Sequence, residues 1–156
     1  MNPLTVGTAI PAISLFDQNG VERSLEEYKG AWLLIYFYPK DNTPGCTLQA
    51  CGIRDEFPQF KGVTVVGISP DSVKSHKKFA ENFNLPFTLL ADEHHVAAEA
   101  FGVWGEKSLM GRKYHGVDRT SFLIDPEGII QKVYPKVKPT AHAAEVLADL
   151  HELRGA

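Results

Sequence analysis

No stretch of this chain approaches the roughly 18 uninterrupted apolar residues of a membrane span, and residues 1–7 carry no basic segment followed by an apolar one. The expected location is therefore cytoplasmic, with no membrane partner. Cysteine is scarce, with two in 156 residues, which excludes a disulfide-stapled scaffold; a chain of this length buries a core without staples. In a reducing compartment two cysteines point instead to catalysis, redox exchange or metal binding. Neither charge sign is in large excess, and a formal net charge of -3 gives no electrostatic reason to expect nucleic acid or an anionic membrane as partner. Internal repeats, low-complexity tracts and charge blocks are missing too, so residues 1–156 read as one domain with one site.

What is there is an alternation of strand-like and helix-like patterns, the signature of an α/β protein. Residues 10–16 and 21–25 flank Asp17-Gln18-Asn19-Gly20 as an N-terminal β-hairpin, and a helical turn over 25–30 stops at Gly30. Residues 31–38 form a continuous apolar and aromatic run, as expected of a strand buried on both faces. A helix is predicted over 46–60, ended or kinked by Pro58. A second buried strand follows over 63–69, an amphipathic helix over 72–83, a third strand over 87–91 and a helix over 93–101. Residues 102–116 read as a loop, 120–125 and 128–134 as an antiparallel hairpin, and 142–154 as a closing helix. A central mixed β-sheet flanked by helices, thioredoxin-like, accommodates all of these elements.

The most informative stretch is Pro39-Lys40-Asp41-Asn42-Thr43-Pro44-Gly45-Cys46, with Cys51 five residues later. It places Cys46 where a buried strand passes into a helix. Only the thiolate is a useful nucleophile, and an ordinary cysteine, with a pKa of about 8.5, is a few per cent thiolate at neutral pH. Unpaired N–H groups and the dipole of a helix N-terminus supply roughly 0.3 to 1 kcal/mol, up to about 2 when partly buried, so a second cation is expected. Arg119, at the start of a predicted strand, is the candidate, although its alternative is a solvated strand-edge arginine. Thr43 can cap the helix, or turn its hydroxyl toward the sulfur and a substrate.

The segment Pro39-x-x-x-Thr43-x-x-Cys46 resembles the active-site signature of the peroxiredoxins, thiol peroxidases built on a thioredoxin fold. Thr43-Pro44-Gly45-Cys46-Thr47 with Cys51 is similar to the bacterioferritin comigratory protein, or peroxiredoxin Q, subgroup. The similarity continues through Gly67-Ile68-Ser69, Phe87-Thr88-Leu89-Leu90, the run from Phe101 to Lys107, and the run from Arg119 to Asp125. The resemblance implies that Cys46 is the peroxidatic cysteine, attacking hydrogen peroxide or an organic hydroperoxide to form a sulfenic acid. It also implies that Arg119 stabilises the developing charge, that Thr43 orients the peroxide, that Pro39 shields the sulfur, and that N–H groups of Gly45 and Cys46 complete a polar cradle. Gln49 takes a supporting role.

Cys51 matches the resolving cysteine, and the disulfide it would form is recycled by thioredoxin or a glutaredoxin. Residues five apart on an intact helix are separated by about 7.5 Å along the axis and roughly 140° around it. A disulfide wants Cα atoms within about 7 Å, so the helix is expected to unwind before Cys46 and Cys51 join. No metal, haem, flavin or other cofactor is implied, and the subgroup resemblance implies a monomer.

Two other function classes share these residues. A copper-binding assembly protein on the same fold would use paired cysteines and a distant histidine, but such proteins space their cysteines by three residues rather than four. A redox switch would form the disulfide without turnover. His94, His95, His76, His115, His142 and His151 fit no standard zinc spacing and are read as solvated surface or helix-start residues. Trp104 either walls the site or packs the core, and Lys74, Lys77 and Lys78 form the polar face of their helix.

Overall fold

The computed structural model describes residues 2–154. Its strands, in chain order, are β1 (Ser14–Asp17), β2 (Glu22–Ser24), β3 (Trp32–Phe37), β4 (Val63–Ser69), β5 (Thr88–Ala91), β6 (Trp104–Leu109), β7 (Arg112–Val117), β8 (Thr120–Ile124) and β9 (Ile130–Tyr134). The helices are α1 (Pro44–Asp55), α2 (Val73–Phe83), α3 (Val96–Ala100) and α4 (His142–Arg154). Seven strands make one mixed sheet in the order β2-β1-β5-β4-β3-β8-β9. β4 runs parallel to both β3 and β5, while β8 is antiparallel to β3.

The run at 31–38 is apolar throughout because β3 lies mid-sheet with both faces covered. Leu34, Tyr36 and Tyr38 join Cys46, Ala50 and Ile53 of α1, Phe79 of α2 and Val146 and Leu150 of α4 in one core cluster. Leu33, Ile35 and Phe37 join Ala97 and Ala98 of α3, with Phe101, Val103 and Val117, in a second. Alternate residues of one strand thus hold two cores, and Cys46 belongs to the first.

Most predicted elements stand where expected, with shifted ends. α1 begins two residues early, at Pro44, because proline fits a first helical turn whose N–H groups have no intrahelical acceptor. It ends at Asp55, and Pro58 sits in a separate 3-10 turn, Phe57–Gln59. One expectation is overturned: residues 102–116 are not a loop but largely the hairpin of β6 and β7, paired from Trp104–Val117 to Leu109–Arg112. Its turn residues Met110 and Gly111 take φ of 53° and 79°, the left-handed pair that a two-residue hairpin turn requires. A half-exposed, two-stranded ribbon gives no clean apolar alternation, and Met-Gly is a weaker turn signal than Asn-Gly.

Two histidines also depart from the solvated reading. His76 on α2 is fully buried, and His142 at the start of α4 is 3 % exposed with its ring edge-on to Tyr134. Phe79 and Phe83 carry the apolar stripe of α2, and His76, three residues before Phe79, continues it inward. The lysines Lys74, Lys77 and Lys78 are exposed, as expected of the polar face. No helix among the described residues is long and apolar enough to cross a membrane.

Candidate active site

β3 delivers the chain to the site. Tyr38 N–H donates to the Ile68 carbonyl at 3.0 Å, and Pro39, half-buried, ends the pairing because it has no N–H to offer. Asn42 takes a left-handed φ of 61°, which turns the chain into α1. Thr43 occupies the N-cap position with extended backbone, and its carbonyl accepts the first helical bond from Thr47 N–H at 2.9 Å. Of the two roles open to Thr43, the side-chain cap is not made: its hydroxyl donates to the Lys40 carbonyl at 2.9 Å instead. Its lone pairs are left to accept from another group.

Cys46 lies in the first turn of α1 and is 1 % exposed, whereas Cys51 is half-buried; both thiols are free. No backbone carbonyl or side chain among the described residues accepts from the N–H groups of Gly45 and Cys46. Two unpaired donors therefore stand in the turn that carries Cys46, at the positive end of a 12-residue helix.

Arg119, between β7 and β8, comes to the same turn. Its Nη1 donates to Gln49 Oε1 at 2.9 Å, and a Cβ on Gly45 would lie only 3.1 Å from its Nη2. A guanidinium can rest against the turn because residue 45 has no side chain. The Arg119 carbonyl accepts from Val137 N–H at 3.0 Å, which fixes the arginine's backbone from the far side. Gln49 is 1 % exposed and its Nε2 has no partner among the described residues. Tyr36, in the same core cluster as Cys46, likewise has no partner for its buried hydroxyl. Burial first, and the neighbouring Cys46 second, push that hydroxyl well above its ordinary titration range, so it stays a neutral donor.

The residues singled out in the sequence thus converge in part. Gly45, Cys46, Gln49 and Arg119 meet at the start of α1, with Pro39 and Thr43 on the loop that leads into it. Cys51 lies on the same unbroken helix. Trp104 is not among them: it packs against the opposite core and stacks on His95 at 4.0 Å. Asp41 and His76, whose contacts join this loop to α2, carried no sequence signal strong enough to single them out.

The AhpC/TSA family model matches residues 6–133. This chain belongs to that family. It is 50% identical over 154 residues to "Peroxiredoxin Bcp" of Escherichia coli, covering 97% of this chain and 99% of the relative. The "Peroxiredoxin Bcp" of Bacillus subtilis is 44% identical over 152 residues, covering 96% and 97%. Among solved structures, a peroxiredoxin Q variant of Xylella fastidiosa superposes with a TM-score of 0.93 at 33% identity over 99% of each chain. The bacterioferritin comigratory protein of Xanthomonas campestris, described in connection with alkyl peroxide reduction, gives 0.87 at 35% identity, covering 94% of this chain and 99% of its own. The chain is thus a peroxiredoxin, a thiol peroxidase on a thioredoxin-like fold.

Proposed function

We propose that Cys46 is the nucleophile of this peroxiredoxin and that Cys51 resolves the product it forms. The Cys46 thiolate attacks one oxygen of a hydroperoxide and the O–O bond breaks. The leaving oxygen takes a proton and departs as water or an alcohol, and the sulfur becomes a sulfenic acid. The Cys51 thiol then attacks the Cys46 sulfur, releasing water and forming the disulfide. A dithiol donor, thioredoxin or a glutaredoxin, reduces that disulfide and is itself oxidised.

The observation that carries this reading is the placement of Cys46, buried in the first turn of α1 beside two unpaired N–H donors and a guanidinium held by Gln49. Charge develops on oxygen as the O–O bond stretches, and fixed donors aimed there act without reorganisation. In this role Arg119 steadies the thiolate and the transition state, and the Thr43 hydroxyl, already committed as donor to Lys40, accepts from the peroxide O–H. Pro39 keeps water from the sulfur. Hydrogen peroxide and organic hydroperoxides are both substrates of this reading, the latter supported by the alkyl peroxide reduction named for the Xanthomonas campestris relative. The enzyme acts as a single-domain monomer in the cytoplasm, and the cycle requires no metal or cofactor.

The test is a peroxide titration of the fully reduced protein, with thiol counting and intact mass, on wild type, Cys46→Ser and Cys51→Ser, followed by turnover with a thioredoxin system. Wild type is expected to lose both thiols at one equivalent. Cys46→Ser should show no fast reaction, and Cys51→Ser should stop at a sulfenic or over-oxidised product. A Cys46→Ser protein that consumed peroxide at the wild-type rate would remove the nucleophile assignment. A disulfide formed without turnover would favour a redox switch.

A further inference from the structure

Between β3 and α1 stands a carboxylate that the peroxide chemistry above leaves without a task. Asp41 is 6 % exposed. Its Oδ1 accepts from the Tyr38 hydroxyl at 2.6 Å, and its Oδ2 from the Ser75 hydroxyl at 2.8 Å and from His76 Nδ1 at 2.7 Å. His76 Nε2 lies 2.9 Å from the Leu90 carbonyl, which can only accept, so Nε2 carries a hydrogen and the Nδ1 contact holds a second proton between ring and carboxylate. The backbone N–H of Asp41 donates to Asp71 Oδ2 at 2.8 Å, and the same oxygen accepts from the Ser69 hydroxyl at 2.6 Å.

Four hydrogen bonds therefore fix one residue of the loop, and they come from different elements: the end of β3, the first turn of α2 and the segment that follows β4. The fixed residue sits two places after Pro39 and two before Thr43. Next to it Asn42 is exposed with left-handed backbone, and the Thr43 hydroxyl is aimed by Lys40, the other neighbour of Asp41. Carboxylate and imidazole oxygens and nitrogens lie close enough to suggest an ion site, yet the 2.7 Å Nδ1–Oδ2 contact is a hydrogen-bond length that accommodates a proton rather than a metal.

We propose that Asp41, held by Tyr38, Ser75 and His76, is a positioning residue for the peroxide step. It sets the place of Pro39 and Thr43 relative to Cys46 by tying their loop to α2. Because its partners all lie outside α1, the tie persists while α1 opens to form the disulfide. The inference rests on the reading of Cys46, Thr43 and Pro39 given above.

The test is single-turnover kinetics of the fully reduced protein with hydrogen peroxide, following the second-order oxidation of Cys46 and the first-order formation of the disulfide separately. Misplacement on the scale of an ångström costs about 100-fold in rate, so Asp41→Ala should slow the first step by roughly 10- to 100-fold and leave the second unchanged. Asp41→Asn can accept from Tyr38 or Ser75 and donate to a neutral imidazole Nδ1, and it should recover most of the lost rate. Ile130→Ala, a cavity in the opposite core, serves as the comparison for destabilisation alone and should keep the wild-type rate of oxidation.

Where Asp41→Ala does not fold, the Tyr38→Phe, Ser75→Ala double variant removes two of the three side-chain bonds and should slow the same step. Oxidation of Asp41→Ala or of the double variant at the wild-type rate overturns the proposal. So does a loss no greater than that of Ile130→Ala. A wild-type protein without Cys46-dependent oxidation would defeat the underlying reading instead, before any Asp41 variant was compared.

Discussion

Replacing Arg119 by Met keeps most of the aliphatic stem and removes the guanidinium, with two separable consequences. The first concerns stability. Gln49 is 1 % exposed, its Nε2 already has no partner among the described residues, and Arg119 Nη1 is the donor to its Oε1. Losing that donor leaves a wholly unpaired amide in the core, where water does not reach it. An orphaned buried polar group costs about 1–3 kcal/mol, which urea denaturation of the reduced protein should register as a lower midpoint at constant slope. The second concerns rate. Removing one preorganised donor from a site of developing oxyanion charge typically costs about 100- to 1,000-fold, and oxidation of Cys46 by hydrogen peroxide should slow on that scale.

A second substitution separates the two. In the Arg119→Met background, Gln49→Leu removes the orphaned amide and fills its place with apolar volume, so it should return about 1–3 kcal/mol of stability. It should return none of the rate. Recovery of the oxidation rate along with stability would refute the reasoning, since Arg119 would then be supporting α1 rather than acting on charge at the sulfur.

A methyl on Gly67 of β4 would lie 2.8 Å from Tyr36 Cζ, 2.9 Å from its Oη and 3.0 Å from Leu89 Cδ2, all in packed core. Gly67→Ala is therefore expected to destabilise by about 1–3 kcal/mol, visible in thermal unfolding; an unchanged midpoint would show that the ring has room to move. Burial lowers His142 from 6.5 to about 4, so the unfolded chain binds this proton more tightly than the native one. The contribution is complete above about pH 6.5 and lost as pH falls toward 4, at most about 3 kcal/mol in all, and His142→Leu should flatten that part of the wild-type stability profile. Disulfide formation between Cys46 and Cys51 should unwind α1, which holds 12 residues against 11, 5 and 13 in α2, α3 and α4. Circular dichroism and amide exchange should show helix loss on oxidation, reversed by reductant, and a helix signal equal in both states would contradict the model.

Much of this was legible because local and global signals agree. The double-faced burial of β3 shows as an unbroken apolar run, and β4 was placed residue for residue because 63–69 is buried almost throughout. The β6–β7 ribbon was not legible, since its residues are mostly exposed and only the Trp104–Val117 end reaches the core, too little to print a pattern. The site shows the same division. Cys46, Thr43 and Pro39 sit close in sequence at a readable strand-to-helix junction, whereas Arg119 reaches Gln49 across 70 positions of sequence. Its partner became visible only when β8 paired with β3 and brought 119 beside the end of that strand, as the Phe37–Thr120 register places it. Asp41 and His76 are a further case: 35 residues apart, each unremarkable on its own stretch, they meet because α2 packs against the loop that leaves β3.

The proposed cycle makes two opposing demands on helix α1. Peroxide attack requires its first turn intact, because the unpaired N–H groups of Gly45 and Cys46 and the contact from Arg119 exist only while that turn is formed. Resolution requires the same turn to open, because residues five apart on an α-helix point roughly 140° away from each other. The anchoring side chains are distributed accordingly. Ile53, fully buried near the C-terminal end of α1, holds the distal turn in the core, and Asp41 fixes the loop before the helix through partners on other elements. What lies between, residues 44–51, is held by Ala50, by Cys46 itself and by one charged hydrogen bond from Arg119 to Gln49. That bond contributes about 1.5–3 kcal/mol, small enough for thermal opening to be frequent and large enough for the closed state to dominate. In that proposed cycle, oxidation of Cys46 would add a polar oxygen to a buried sulfur and so weaken one of those three holds, coupling the opening of the helix to the step that needs it.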